Sequence, residues 1–200
     1  MKTITVALTG ASGMPYGLRL IESLLVAGCR VQVVYTQAAQ IVAKQEMDLQ
    51  LGSTRETEAM LRARFAAAEG QLVVYGREEW FAPIASGSNP PDAMVICPCT
   101  MGTLAAVAAG LSSNLIERAA DVCLKEGRKL VIVPREAPFS TLHLENMLRL
   151  SRMGTVILPP NPGFYHHPQT LQDLVDFVVA RILDQLGVAH HLMAKWGEAD

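Results

Sequence analysis

Two short stretches of small and hydroxyl residues carry the chemistry open to this chain. The first, Thr9-Gly10-Ala11-Ser12-Gly13, follows the apolar run Ile4-Thr5-Val6-Ala7-Leu8 and precedes Leu18, Ile21, Leu24 and Leu25 at helical spacing. That order reads as a buried strand, a tight turn and a helix start, with the apolar stripe laid back on the sheet. The first-turn amides of such a helix have no partner within it and carry the positive end of its dipole, which favours a phosphate. Ser12 adds a hydroxyl donor. The second stretch, Thr100-Met101-Gly102-Thr103, repeats the arrangement after the apolar strand Ala93-Met94-Val95-Ile96-Cys97. An ordinary helix cap by Thr100 or Thr103 produces the same pattern, so both readings stay open on the residues alone.

A further strand over residues 31–35 ends in Thr36-Gln37, where a dinucleotide fold places an acid for a ribose hydroxyl. A neutral hydroxyl suits a phosphate better, and the residues therefore point to a mononucleotide, FMN in preference to NAD. Ala85-Ser86-Gly87-Ser88 offers small polar groups that could line a ligand, and Arg135-Glu136 follow the strand over 130–133. Tyr165 sits in the Pro-rich loop over 159–168; alone it reads as a packing aromatic. The pairs His166-His167 and His190-His191 read as surface groups, and no metal site is expected. Cys97-Pro98-Cys99 is too cramped for a usual zinc half-site, and the four cysteines read as reduced, mostly buried thiols.

The elements that must position these groups alternate along the chain. Strands are expected over 4–8, 31–35, 72–75, 93–97, 130–133 and 156–158, with helices over 38–45, 56–68, 100–110, 115–127, 141–153 and 171–186. This predicts an α/β fold: a doubly wound, Rossmann-like (flavodoxin-like) three-layer sandwich with a mostly parallel sheet. The carboxyl ends of the strands are expected to bring Ser12, Thr36, the 86–88 loop, residues 100–103 and Arg135-Glu136 to one edge. One domain over 1–187 and a short tail over 188–200 account for the length. Half of the residues are hydrophobic and only 18% are charged, a balance that implies burial between copies of the chain. Net charge is −2 with Lys and Arg dispersed, which argues against a nucleic-acid partner. No apolar run or leader pattern suggests a membrane, and a cytoplasmic protein is expected.

Seven motifs in order give the chain a resemblance to the UbiX-type flavin prenyltransferases over nearly its whole length. They are Thr9-Gly10-Ala11-Ser12-Gly13, Ala85-Ser86-Gly87-Ser88, Cys97-Pro98-Cys99 with Met101-Gly102-Thr103, Asn114-Leu115-Ile116-Glu117-Arg118-Ala119-Ala120-Asp121-Val122, Val133-Pro134-Arg135-Glu136-Ala137-Pro138, His143-Leu144-Glu145-Asn146-Met147 and Pro162-Gly163-Phe164-Tyr165-His166. The resemblance implies an enzyme that joins the dimethylallyl group of dimethylallyl phosphate to N5 and C6 of reduced FMN, without a metal. The product, prenylated FMN, would serve a UbiD-type decarboxylase, and the assembly is usually a dodecamer. It implies FMN contacts from Gly10, Ala11, Ser12, Thr36, Ser86, Thr100, Met101, Gly102, Thr103 and Arg135. Lys125, Tyr165, Arg181 and Arg118 would hold the prenyl phosphate, some of them across a subunit boundary, and Glu136, Glu46 and Trp80 would be catalytic. Glu46, on the residues alone, is an exposed acid just past a helix end. Residues 49–71 and the tail past 188 match none of these motifs.

Two rivals remain at this level. A flavin-dependent cysteine decarboxylase of the same sandwich is expected to carry a catalytic histidine early in the chain, and the first histidine here is His143. A non-catalytic flavin carrier would bind FMN and leave it unchanged.

Overall fold

A computed structural model describes residues 1–193 and 197. Six strands, β1 (Thr3–Leu8), β2 (Arg30–Tyr35), β3 (Leu72–Tyr75), β4 (Ala93–Cys99), β5 (Lys129–Pro134) and β6 (Val156–Ile157), form one sheet in the order β3-β2-β1-β4-β5-β6. Every neighbouring pair is parallel. Chain order reverses between β1 and β4, and in such sheets the crevice at that reversal takes the ligand.

The helices α1 (Met14–Val26), α2 (Gln37–Met47), α3 (Thr54–Arg64), α4 (Met101–Ala108), α5 (Leu115–Lys125), α6 (Thr141–Arg152) and α7 (Leu171–Leu186) cover both faces. Strand alternation divides the core. Ile4, Val6 and Leu8 of β1 face the layer that holds α1, α2, α3 and α7, whereas Ala7 faces α4, α5 and α6. Cys97 and Cys99, two positions apart, fall on opposite faces because β4 shifts register between Ile96 and Cys99, and all four cysteines are free and buried.

Several ends differ from the sequence reading. Helix α2 runs two residues past its expected end, so Glu46 lies in its last turn. Helix α3 stops at Arg64, where Ala66 turns into the left-handed region at φ 49°. Strand β4 continues through Cys97-Pro98-Cys99 with a register shift, carrying the chain straight into the Thr100 cap of α4. Packing continues beyond residue 187: Val188 is buried, and Leu192 and Met193 lie on the same cluster. The remainder of the tail, except Gly197, lies outside the described residues.

Candidate active site

Three turns meet at the carboxyl edge between β1 and β4. Thr9, fully buried, ties two of them together: its hydroxyl donates to the Pro98 carbonyl at 2.8 Å and accepts from the Thr100 amide at 2.8 Å. The Thr100 hydroxyl caps α4, accepting from the Thr103 amide at 3.1 Å and donating to the Thr103 hydroxyl at 2.9 Å. Thr100 is thus a helix cap, and the proton of Thr103 at the end of this chain of hydroxyls is left to donate outward. Thr36 behaves alike at α2, accepting from the Ala39 amide at 3.1 Å and keeping its own proton free.

The opening turn differs from expectation in one respect. Gly13 has no side chain to cap α1, and the Glu46 carboxylate does so instead, accepting from the Gly13 amide at 3.1 Å and the Met14 amide at 2.9 Å. An anion from this chain therefore occupies the dipole end that the sequence reading reserved for a phosphate. Among the described residues, the amides of Gly10, Ala11 and Ser12 have no acceptor. These three amides, with the donors of Thr36 and Thr103, form a cradle of donors that could hold an anion.

The glycines here serve different ends. A Cβ on Gly10 would overlap that of Ala38 at the start of α2, so Gly10 answers a packing constraint. Gly13, at φ 121°, makes the turn, and a Cβ on Gly17 would lie 2.5 Å from the Cys97 carbonyl oxygen. A Cβ on Gly102, in the first turn of α4, would meet nothing. That is the position at which a bound ring or phosphate can come close to backbone. Sequence reasoning placed Thr9 in the opening turn without its linking role and passed over Gly17; the signal for Gly17 was a glycine inside an otherwise apolar helix, for which only close packing gives a reason.

Arg135 and Glu136 project from the end of β5 and are exposed; the Glu136 carboxylate accepts from the Ala137 amide at 3.2 Å. The Ser86 loop does not join them. It precedes β4 and lies at the opposite, amino edge, where a Cβ on Gly87 would strike Lys125 and Glu126. The reason is topological, because the loop delivers the chain to the start of a strand. Lys125, ion-paired with Glu126, ends α5 four residues before β5 begins. A six-residue strand separates that edge from Ser12 by about 20 Å.

Arg118, in the first turns of α5, donates to the Ala85 carbonyl at 2.9 Å and to Asp121 at 2.8 Å. Trp80 lies in the loop after β3 and is 44% exposed. Tyr165 packs edge-on against Phe177 of α7 with ring centroids 5.8 Å apart. Arg181 follows Phe177 by one helical turn and pairs with Asp184 at 2.6 Å. One copy thus gathers Gly10 to Ser12, Thr36, Glu46, Thr100 to Thr103, Arg135 and Glu136, and holds Ser86 with Lys125, and Tyr165 near Arg181, as two separate groups.

A family model described as Flavoprotein matches residues 1–183. The flavin prenyltransferase UbiX of Pseudomonas aeruginosa is 57% identical over 196 residues, covering 98% of this chain and 94% of that protein. This chain belongs to the UbiX flavin prenyltransferase family. Among solved UbiX structures, AnUbiX (PadA1) in complex with FMN and dimethylallyl pyrophosphate is similar at TM-score 0.88 and 36% identity, covering 100% of this chain and 99% of that one. A dodecameric FMN-dependent UbiX-like decarboxylase from Escherichia coli O157:H7 is similar at TM-score 0.85 and 42% identity, over 98% of this chain and all of that one.

Proposed function

We propose that this protein is a flavin prenyltransferase that joins the dimethylallyl group of dimethylallyl phosphate to N5 and C6 of reduced FMN, for use of the product by a UbiD-type decarboxylase. The observation that carries the reading is the cradle of three unpaired amides and two spare hydroxyl protons at the β1–β4 reversal, in a chain so close to UbiX proteins. The amides of Gly10, Ala11 and Ser12 and the hydroxyls of Thr36 and Thr103 hold the flavin phosphate, with Arg135 as the nearby cation. Backbone at Met101 and Gly102 makes room for the rest of the flavin.

The donor reacts by loss of phosphate, which leaves an allylic cation. The protein must therefore hold a dianion beside positive charge. Lys125, Arg181 and Tyr165, with Arg118, bind the departing phosphate. Trp80 presents its π face to the cation. Glu136, exposed at the end of β5, moves the proton released when the second bond closes. A pocket built from Lys, Arg and Tyr side chains suits the monophosphate. Since Lys125 and Ser86 stand at the edge opposite Ser12, the complete site draws on more than one copy, as in a homododecamer. Four free thiols fit a reducing cytoplasm. No described helix is long and apolar enough to cross a membrane.

The test is to incubate the protein with reduced FMN and dimethylallyl phosphate and weigh the flavin. A flavin heavier by one five-carbon unit is expected, and an unchanged mass would leave a carrier.

A further inference from the structure

The loop between β6 and α7 holds a group that the proposed reaction does not use. Both ring nitrogens of His166 are shielded from solvent and have no hydrogen-bond partner among the described residues. Its imidazole lies flat on Phe177, with centroids 5.2 Å apart and planes 15° apart, and meets Tyr165 edge-on at 5.8 Å. With the Tyr165–Phe177 contact this makes a trio of rings seated on α7, one turn before Arg181. A phenyl ring would keep every one of these contacts and remove two buried polar atoms that bond to nothing. Ring packing therefore does not account for an imidazole here. The next residue, His167, stands at φ 55°, in the left-handed region that a non-glycine residue enters at a cost.

We propose that His166 is a further binding side chain for the anion held by Tyr165 and Arg181: with phosphate present the ring leaves Phe177, and a ring N–H donates to a phosphate oxygen. This rests on the assignment of Tyr165 to the prenyl phosphate. The imidazole has one N–H to give when neutral and two when protonated, so the nitrogens that are idle in the ring trio gain a partner in either form. The nearby Asp173 carboxylate accepts from the amides of Gln169 and Thr170 through Oδ2, at 2.8 and 2.9 Å, and makes no hydrogen bond to the ring.

Three variants of the assembled enzyme decide the matter: His166→Phe, which keeps the ring without nitrogens, His166→Asn, which keeps a donor, and Tyr165→Phe. With His166→Phe the KM for dimethylallyl phosphate should rise about tenfold with FMN affinity unchanged, and His166→Asn should recover part of the loss. A wild-type KM in His166→Phe overturns the proposal. A wild-type KM in Tyr165→Phe alone removes Tyr165 from the phosphate site, while the His166→Phe result still stands for His166. On the unmodified enzyme, hydrogen exchange at the C2 position of His166, followed by mass spectrometry, should change at least about twofold on adding inorganic phosphate. An unchanged rate overturns the proposal even where a variant fails to fold.

Discussion

Glu46 shows how a residue's role depends on what its neighbours lack. Gly13 cannot cap α1, and the carboxylate of Glu46 reaches across to take its first two amides. Glu46→Ala should lower stability by about 1–2 kcal/mol in urea unfolding, with Glu46→Gln closer to wild type because one acceptor remains. The same contact leaves the phosphate to the three amides before it. Gly102 offers a second test at this scale. With open space around its Cβ position, Gly102→Ala should stabilise the FMN-free protein by about 0.5–1 kcal/mol. If flavin approaches the backbone there, the same change should weaken FMN binding about tenfold or more, read from flavin fluorescence. Unaltered affinity would take Gly102 out of the cradle. Neither role was open to inspection in the sequence: Glu46 is thirty-three positions from its partner, and the space beside a glycine belongs to other segments.

At the scale of elements, α7 is fastened across α1. The Arg19 guanidinium binds Asp176 through two bonds, at 2.7 and 3.0 Å, and also reaches Glu22 at 2.8 Å. Its pKa is pushed up, chiefly by the Asp176 hydrogen bonds against a smaller opposing effect of burial. A double-mutant cycle on Arg19 and Asp176 should return a coupling of about 1 kcal/mol, at the upper end for such pairs because both side chains are partly buried. A coupling near zero would mean that apolar packing alone seats α7. The ends of α7 were plain in the sequence, since Thr170 with Asp173 forms a capping box and Gly187, at φ 59°, closes the helix. Its partner was not plain, because an apolar stripe specifies burial without saying which helix provides it.

For the whole molecule, the separation of Lys125 from Ser12 has a measurable consequence. Glu136→Gln subunits, altered at the Ser12 edge, and Lys125→Ala subunits, each inactive alone, should regain activity when assembled together, because a mixed boundary can hold one intact edge from each copy. Random pairing allows about a quarter of such sites. No recovery in mixed oligomers would confine the site to one copy. The buried thiols give a global pH signature. Desolvation pushes Cys97 and Cys99 far up and Cys123 to about 12. Groups raised in this way stabilise the fold fully below the unfolded thiol value of about 8.5 and lose that contribution as pH climbs toward the folded values. Between the unfolded and folded values, urea unfolding should show stability falling by about 1.4 kcal/mol per pH unit for each thiol. Cys→Ser variants should flatten the decline.

By itself, the sequence determined the alternation of strands and helices, the parallel sheet, the cap at Thr170, and the hydroxyl turns around Ser12 and Thr100. These depend on periodicity and on neighbours a few residues apart, which a linear chain displays directly. Only tertiary structure decided that Glu46 occupies the amides of α1, that Thr9 joins two turns, and that the Ser86 loop lies with Lys125 at the far edge. Each of these is a contact between segments remote in sequence, and strand order and direction, rather than residue type, set which edge a loop reaches.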